Sequence, residues 1–307
     1  MITHYFKTLK DSELKTLDAV RTGVWTHAIA PTDDELGVLI GEYGLDEAII
    51  ADIRDFFEVP RMEKSGSATY FFTRYPFDEK DEDIDTAPLL IVVGESFVLT
   101  IAQREVPQFT DFISGKTAIQ TTQKAKFFIQ IMDGLTKSYE YELTHLRRSV
   151  HSDRTRLRKI GNREIERLVN YEHELNDMIA SVVPTNAWLQ QVAKGNYMQL
   201  FHEDVELMED LMIANSQLVD SARSVLRTIQ NIRTATEAIL TNKLNTTIKT
   251  LTILTIILTI PTVVASLYGM NVPLPLSTNP MAFWMILVVI IGTVTGVVIF
   301  FKKSELL

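Results

Sequence analysis

Seven residues near the end of the chain carry the clearest chemistry. Asn245, Ile248, Thr252, Thr255, Thr259, Thr262 and Ser266 recur at alternating steps of three and four. A 3.5-residue repeat keeps one stripe facing the axis of a left-handed helical bundle. Most of this stripe is amide or hydroxyl within an otherwise apolar stretch, and it leads to Gly269-Met270-Asn271. Neutral oxygens bind the waters around a cation better than they strip them, and Mg²⁺ gives up its waters reluctantly. A ring of Asn271 carbonyls therefore suits a hydrated divalent ion. Ile248 and Leu251, lower on the same helix, have the character of an apolar constriction that closes by dewetting. The stripe also has a plainer reading: threonine bonds back to its own helix, and small polar residues hold membrane helices together. A conducting path would need a closed cyclic oligomer, because one chain with two spans encloses nothing.

The elements that must position these residues are two apolar stretches. Ala282 to Phe301 contains no ionisable residue, and its length matches about 30 Å of helix, one bilayer core. Phe283 and Trp284 stand at its start, and Phe300 and Phe301 at its end, where interfacial aromatics are expected. The first stretch, Ile248 to Tyr268, has Lys249 at its edge and Pro261 inside it. A membrane helix tolerates both, by snorkelling and by help from neighbouring helices. The alternative is a pair of buried helices in a soluble domain, which are seldom so long and uncharged. Val272 to Pro280 carries no Lys or Arg, whereas Arg233, Lys243, Lys249, Lys302 and Lys303 flank the other ends. The positive-inside rule predicts cytoplasmic termini and an external loop. The first residues lack an extended apolar core, so no signal peptide is expected.

Composition excludes several classes of function. The chain has no cysteine, which removes disulfides and thiolate metal sites. No Asp, Glu or His lies in either apolar stretch, so a proton relay of the usual kind is not expected. No Gly-x-x-x-x-Gly-Lys loop is present to hold nucleotide phosphates. No nucleophile–base set or metal-ligand cluster stands out, so neither an enzyme nor an organic cofactor is expected. The formal net charge of −9 argues against a nucleic-acid partner. His4, His27, His145, His151, His173 and His202 do not pair at ligand spacing. The basic run from Arg147 to Lys159 reads as a solvated face or an anionic-lipid contact. Asp78 to Asp85 is the most acidic segment. It is either a solvated hairpin loop or a divalent-cation sensor, since clustered carboxylates repel until a hard cation binds.

Upstream, Asn196 to Ile260 contains neither glycine nor proline, room for a helix of about 100 Å. The first 115 residues predict mixed α and β structure. Strands are expected at Val24 to Ile29, Ala68 to Tyr75, Leu89 to Val93 and Phe97 to Ile101, the last two joined by a Gly94-Glu95-Ser96 hairpin. Thr32 and Glu35 form a capping box, and Ala48 to Phe57 has helical spacing that stops before Pro60. A helical region from about Thr121 to Val183 follows, interrupted at Gly161-Asn162, with Pro184-Thr185-Asn186 and Gly195 marking its end. The expected architecture is an α+β domain, a sheet covered by helices, followed by a long stalk helix and two C-terminal transmembrane helices. The segments are residues 1–115 (α/β), 116–195 (helical hairpin), 196–247 (stalk), 248–268 (first span), 269–280 (loop), 281–301 (second span) and 302–307 (basic tail).

Tyr268-Gly269-Met270-Asn271 at the end of the penultimate span, with Trp25 and Ala30-Pro31-Thr32-Asp33-Asp34-Glu35 upstream, resembles the CorA-type magnesium transporters across essentially the whole chain. The resemblance implies a homopentamer in the plasma membrane, with the first span lining a pore for Mg²⁺ driven by membrane potential. It implies a selectivity ring at Gly269, Met270 and Asn271, the inner mouth at Asn245 and a hydrophobic gate at Ile248 and Leu251. It further implies closure when cytosolic Mg²⁺ fills sites between neighbouring domains. Asp210 would supply one carboxylate, with Asp78, Asp81, Asp83 or Asp85 as its partner. Two departures stand out: Val272 to Asn279 lacks the acidic residue usual after the signature, and Thr259 and Thr262 make the middle of the stripe unusually polar. A Co²⁺, Ni²⁺ or Zn²⁺ transporter of the same architecture, and a membrane-anchored sensor or scaffold, are the alternatives.

Overall fold

The computed structural model describes residues 1–77, 85–155, 162–195, 197–272, 275 and 280–303. The chain forms two compact units, Met1–Ile232 and Arg233–Leu307.

The first unit is built on a seven-stranded sheet. Its strands are β1 (Ile2–Phe6), β2 (Lys15–Leu17), β3 (Val24–Ile29), β4 (Arg61–Ser65), β5 (Ala68–Phe77), β6 (Asp85–Val93) and β7 (Phe97–Ala102). They lie in the order β2-β1-β3-β7-β6-β5-β4. Pairing is antiparallel except between β3 and β7, which are parallel from Val24 opposite Phe97 to Ile29 opposite Ala102. Because β-strand side chains alternate, a strand covered on both faces shows no polar face. That is the case for β5, whose ten residues are all buried. Tyr70 and Phe72 enter one core, together with α1 (Asp33–Tyr43) and α2 (Glu47–Ala51). Phe71 and Tyr75 enter the other, against α4 (Lys124–Thr155), α5 (Asn162–Val192) and the start of α6 (His202–Tyr268). The short α3 (Phe109–Ile113) closes the second core, with Phe109 edge-on to Trp25 at 5.4 Å. A third core joins α4, α5 and α6 beyond the sheet.

The capping box is present: Glu35 N–H donates to Thr32 Oγ1 at 3.2 Å, and Thr32 N–H to Glu35 Oε2 at 2.9 Å. The hairpin between β6 and β7 places Val93 opposite Val98. A Cβ on Gly94 would stand 2.2 Å from the Phe97 ring, so only glycine fits that turn without displacing a core aromatic.

Several expectations are corrected. Pro184 does not end a helix; α5 runs through it to Val192. Val182, Thr185, Trp188 and Leu189 are all buried, and this packing outweighs the one backbone bond that proline forfeits. The long helix begins at His202 rather than Asn196, where Asp204 accepts from Phe201 N–H at 3.0 Å. The segment from Ala48 is shorter than its spacing suggested, α2 passing into a single 3₁₀ turn at Asp52–Arg54. Strands β1, β2 and β4 were not expected: β2 and β4 are polar, and β1 is only partly buried along its first three residues.

The second unit holds the rest of α6 and α7 (Ala282–Lys303). These are the two helices long and apolar enough to cross a membrane among the described residues. Pro261 lies within α6.

Buried polar groups of the first unit include His27, whose ring bonds Thr100 Oγ1 at 2.8 Å and lies 4.9 Å from the Phe109 ring. Burial lowers its pKa from 6.5 to about 4, since the charged form is disfavoured away from water. The unfolded chain therefore binds a proton that the folded chain refuses. Stability from this group is intact above pH 6.5 and is lost as pH falls toward 4, by at most about 3 kcal/mol. Thermal unfolding of the full chain in detergent should show a shallower loss over that window for His27→Gln than for the wild type.

Candidate pore-lining site

Every member of the polar stripe lies on α6, and in the isolated chain Asn245, Ile248, Leu251, Thr252, Thr255, Thr259, Thr262 and Ser266 are all exposed. The side chains that gain cover are Ile253, Ile256, Ile257, Ile260, Pro261 and Val264. At 100° per residue these lie on the other side of the helix from the threonines. Leu254, Leu258, Val263 and Leu267 are at least half exposed, an apolar surface that lipid or neighbouring chains must cover. On α7 the partly covered positions Ile286, Ile290, Val294, Val297 and Phe301 likewise fall on one face.

The threonines do bond back to their own helix. Thr252 donates to Ile248 O at 2.9 Å, Thr255 to Leu251 O at 2.9 Å, Thr259 to Thr255 O at 2.7 Å and Thr262 to Leu258 O at 2.8 Å. The plainer reading of the stripe is thus correct about the hydroxyl protons. It leaves the oxygens' remaining lone pairs free to accept. The stripe presents acceptors and no acidic group.

Gly269 N–H completes the helix by donating to Ala265 O at 2.9 Å, and Met270 N–H tightens the turn onto Leu267 O at 3.2 Å. A Cβ on Gly269 would stand 3.2 Å from Ala265 O and 3.5 Å from Ser266 O, both backbone atoms. A side chain there would press on Ala265 O, which would have to give by a few tenths of an ångström. Met270 is 52% exposed and Asn271 is exposed. Tyr268 Oη reaches Pro275 O at 3.4 Å, tying the helix end to the loop.

The candidate regulatory carboxylates are only partly visible. Asp78, Asp81 and Asp83 lie outside the described residues. Asp85 opens β6 opposite Phe77, and Asp210 is exposed on α6. Among the described residues, no three His, Asp or Glu side chains gather closely enough to hold a metal ion. Sequence reasoning missed Asp177 on α5. Its carboxyl is pushed up first by burial and then by the negative charge of Asp85, with His173 and Arg74 opposing. Asp85 and Asp177 are ninety-two positions apart, and only the packing of α5 on the sheet brings them near each other. Arg74, also buried, is held by neutral oxygens: Thr86 Oγ1 at 2.8 Å, Thr86 O at 2.5 Å, Phe56 O at 2.8 Å and Glu58 O at 3.1 Å.

A helix-covered sheet, a 67-residue helix carrying a neutral polar stripe, and a second apolar helix after a Gly-Met-Asn turn define a two-helix membrane protein with a large N-terminal domain. The family model for CorA-like Mg²⁺ transporter proteins matches residues 21–303, and the chain belongs to that family. The cobalt/magnesium transport protein CorA of Methanocaldococcus jannaschii is 27% identical over 292 residues, 92% of this chain and 90% of that protein. The magnesium transport protein CorA of Sodalis glossinidius is 22% identical over 286 residues, 86% of each chain. The complete structure of the CorA magnesium transporter from M. jannaschii has the same fold, with a TM-score of 0.88 over 99% of this chain and 98% of that one, at 22% identity.

The crowding at the helix end gives a direct test. Gly269→Ala should destabilise the chain by about 1–2 kcal/mol. Gly292→Ala on α7, whose added Cβ would meet nothing within 4 Å, should be neutral or mildly stabilising. Thermal unfolding of both variants in one detergent compares them.

Proposed function

We propose that the chain forms a channel-like path for divalent cations, with Mg²⁺ as its principal substrate. A cyclic homopentamer would bring five copies of α6 together at the pore axis. The observation that carries this reading is the threonine stripe, exposed in the single chain and running to Asn271. A hydrated cation turns water protons outward, and hydroxyls whose own protons are committed to carbonyls can only accept from them. Such a lining suits a cation that keeps its waters and disfavours an anion, which needs donors. Asn271 with Gly269 and Met270 would select at the outer mouth, Asn245 would stand at the inner mouth, and Ile248 with Leu251 would gate. The charge pattern supports cytoplasmic termini in the plasma membrane. Entry down the membrane potential gains a divalent ion about 4.6 kcal/mol per 100 mV, so no ATP is required.

Gating by cytosolic Mg²⁺ is the second part of the proposal. Asp210 would share an ion with the 78–85 segment of a neighbouring copy. The exposed position of Asp210 suits a site shared between copies. One feature broadens the expected substrate range. The 272–280 loop has no carboxylate to favour the small, highly charged field of Mg²⁺, so Co²⁺ is expected to compete for uptake.

In proteoliposomes, Asn271→Ala should abolish Mg²⁺ uptake while the assembled species keeps its size on gel filtration. Normal flux in that variant would remove Asn271 from the path, and no flux from the wild type would favour a non-conducting sensor. For the gate, millimolar Mg²⁺ should slow proteolysis of the N-terminal unit, and Asp210→Ala should weaken that protection. Equal digestion with and without the ion would rule out the shared site.

A further inference from the structure

Three helices of the first unit carry matching seven-residue repeats. On α6 the buried positions Met208, Leu211, Asn215, Leu218, Ala222, Val225, Ile229 and Ile232 step by three and four without a break. On α4 the same steps join Ile129, Met132, Thr136, Tyr139, Leu143, Leu146 and Val150. On α5 they join Leu175, Met178, Val182, Thr185, Leu189 and Val192. This is the seam of a coiled coil, and besides the Tyr139 phenol it holds one hydroxyl or amide from each helix: Thr136, Thr185 and Asn215.

These three meet in one layer. Thr136 Oγ1 bonds Asn215 Oδ1 at 2.8 Å and Met132 O at 3.0 Å. Thr185 Oγ1 bonds Ser181 O at 2.8 Å and lies 3.2 Å from Thr73 Oγ1 on β5. Thr136, Thr185, Thr73, Tyr139 and Asn215 line a small, partly open cavity. Asn215 is 2% exposed and Tyr139 3%; neither Asn215 Nδ2 nor Tyr139 Oη makes a well-formed hydrogen bond, the phenol having only the Ser181 side chain close enough to influence it by hydrogen bonding. Thr136 has one hydroxyl proton to share. Turning the amide over would therefore leave Asn215 Oδ1 facing the cavity in place of Nδ2. Two orphaned polar groups around a space of about one water are the conditions under which buried water is held.

We propose that this layer is a water-binding register pin, in which Asn215, Thr136 and one bound water fix the axial position of α6 against α4 and α5. Elsewhere the seam is apolar, and an apolar heptad seam looks much the same after a slip of one repeat. A single buried polar position breaks that degeneracy, because slipping it strands the amide against Leu or Val. The pin thus fixes the height along α4 and α5 at which the exposed α6 residues Glu206, Glu209 and Asp210 stand.

The absence of native cysteine makes register directly measurable in the full chain. Arg147 hydrogen-bonds Ser221 across α4 and α6, so a Arg147→Cys/Ser221→Cys pair reports the native register. Arg147→Cys with Ala214→Cys or Thr228→Cys reports a one-heptad slip. Because an arginine reaches farther than a disulfide, a short bis-maleimide joins the thiols, and in wild-type background only the first pair should cross-link. Asn215→Leu should raise a slipped cross-link about tenfold over that background, the population change of about one lost buried hydrogen bond, with melting temperature unchanged or higher. An unchanged cross-linking pattern in Asn215→Leu overturns the pin. Should that variant fail to fold, Thr136→Val, which removes only the hydroxyl facing Asn215, is read the same way. A crystal structure fine enough to order buried solvent should show a water within hydrogen-bond distance of Asn215 and Tyr139 Oη; an empty cavity overturns the water.

Discussion

Inside hydrocarbon a backbone amide has no partner except its own helix or strand ladder, and a polar side chain is under the same restriction. The C-terminal part of α6 is arranged around that constraint. Its backbone stays helical through Pro261. Thr252, Thr255, Thr259 and Thr262 hand their protons to carbonyls four residues back, so these four donors are matched. What remains on the stripe is a row of acceptors without charge. Neither apolar stretch carries an Asp, Glu or His. The Gly-Met-Asn turn follows immediately after Tyr268, the last helical residue, with Gly269 N–H still bonded to Ala265 O at 2.9 Å.

The N-terminal unit solves the opposite problem, that of excluding water. Two layers of helices bury both faces of the sheet, so the central strands carry few polar residues, and those few are matched locally. Trp25 Nε1 donates to Thr100 Oγ1 at 2.9 Å, and Arg74 rests on carbonyls and a hydroxyl of neighbouring strands and loops. Where α4, α5 and α6 leave the sheet, the sheet core gives way to a helical one. The polar layer of Thr136, Thr185 and Asn215 stands at that seam. A polar layer costs stability relative to leucine, and in exchange it distinguishes one alignment of the helices from its neighbours.

Much of the architecture was legible because it depends on short-range periodicity. The spans follow from uninterrupted apolar runs, the capping box from Thr32 and Glu35, and the hairpin from Gly94-Glu95-Ser96. Strand β3 occupies its expected range of Val24–Ile29. Misreadings occurred where tertiary packing opposed a local signal. Pro184 looked like a helix end, but burial of its neighbours carries α5 onward. Polar β2 and β4 lack the alternation that marks a strand, and it is hydrogen bonding to β1 and β5 that makes them strands. For the candidate site, the stripe and the Gly-Met-Asn turn were readable because they lie on one helix. Asp177 was not, because its relation to Asp85 exists only once α5 is laid against the sheet.

By itself, then, the sequence determined the solvent of each segment, the absence of thiol chemistry, and the neutral polar stripe that ends at Asn271. All of these are set by side-chain chemistry repeated along a single helix or run. Tertiary structure alone decided which groups separated by scores of residues share a dry environment: His27 with Phe109, Thr136 with Asn215, Thr73 with Thr185. Helical periodicity fixes the face on which a residue lies. Only packing fixes what that face meets, since the desolvation and hydrogen bonding of a buried group depend on its neighbours in space.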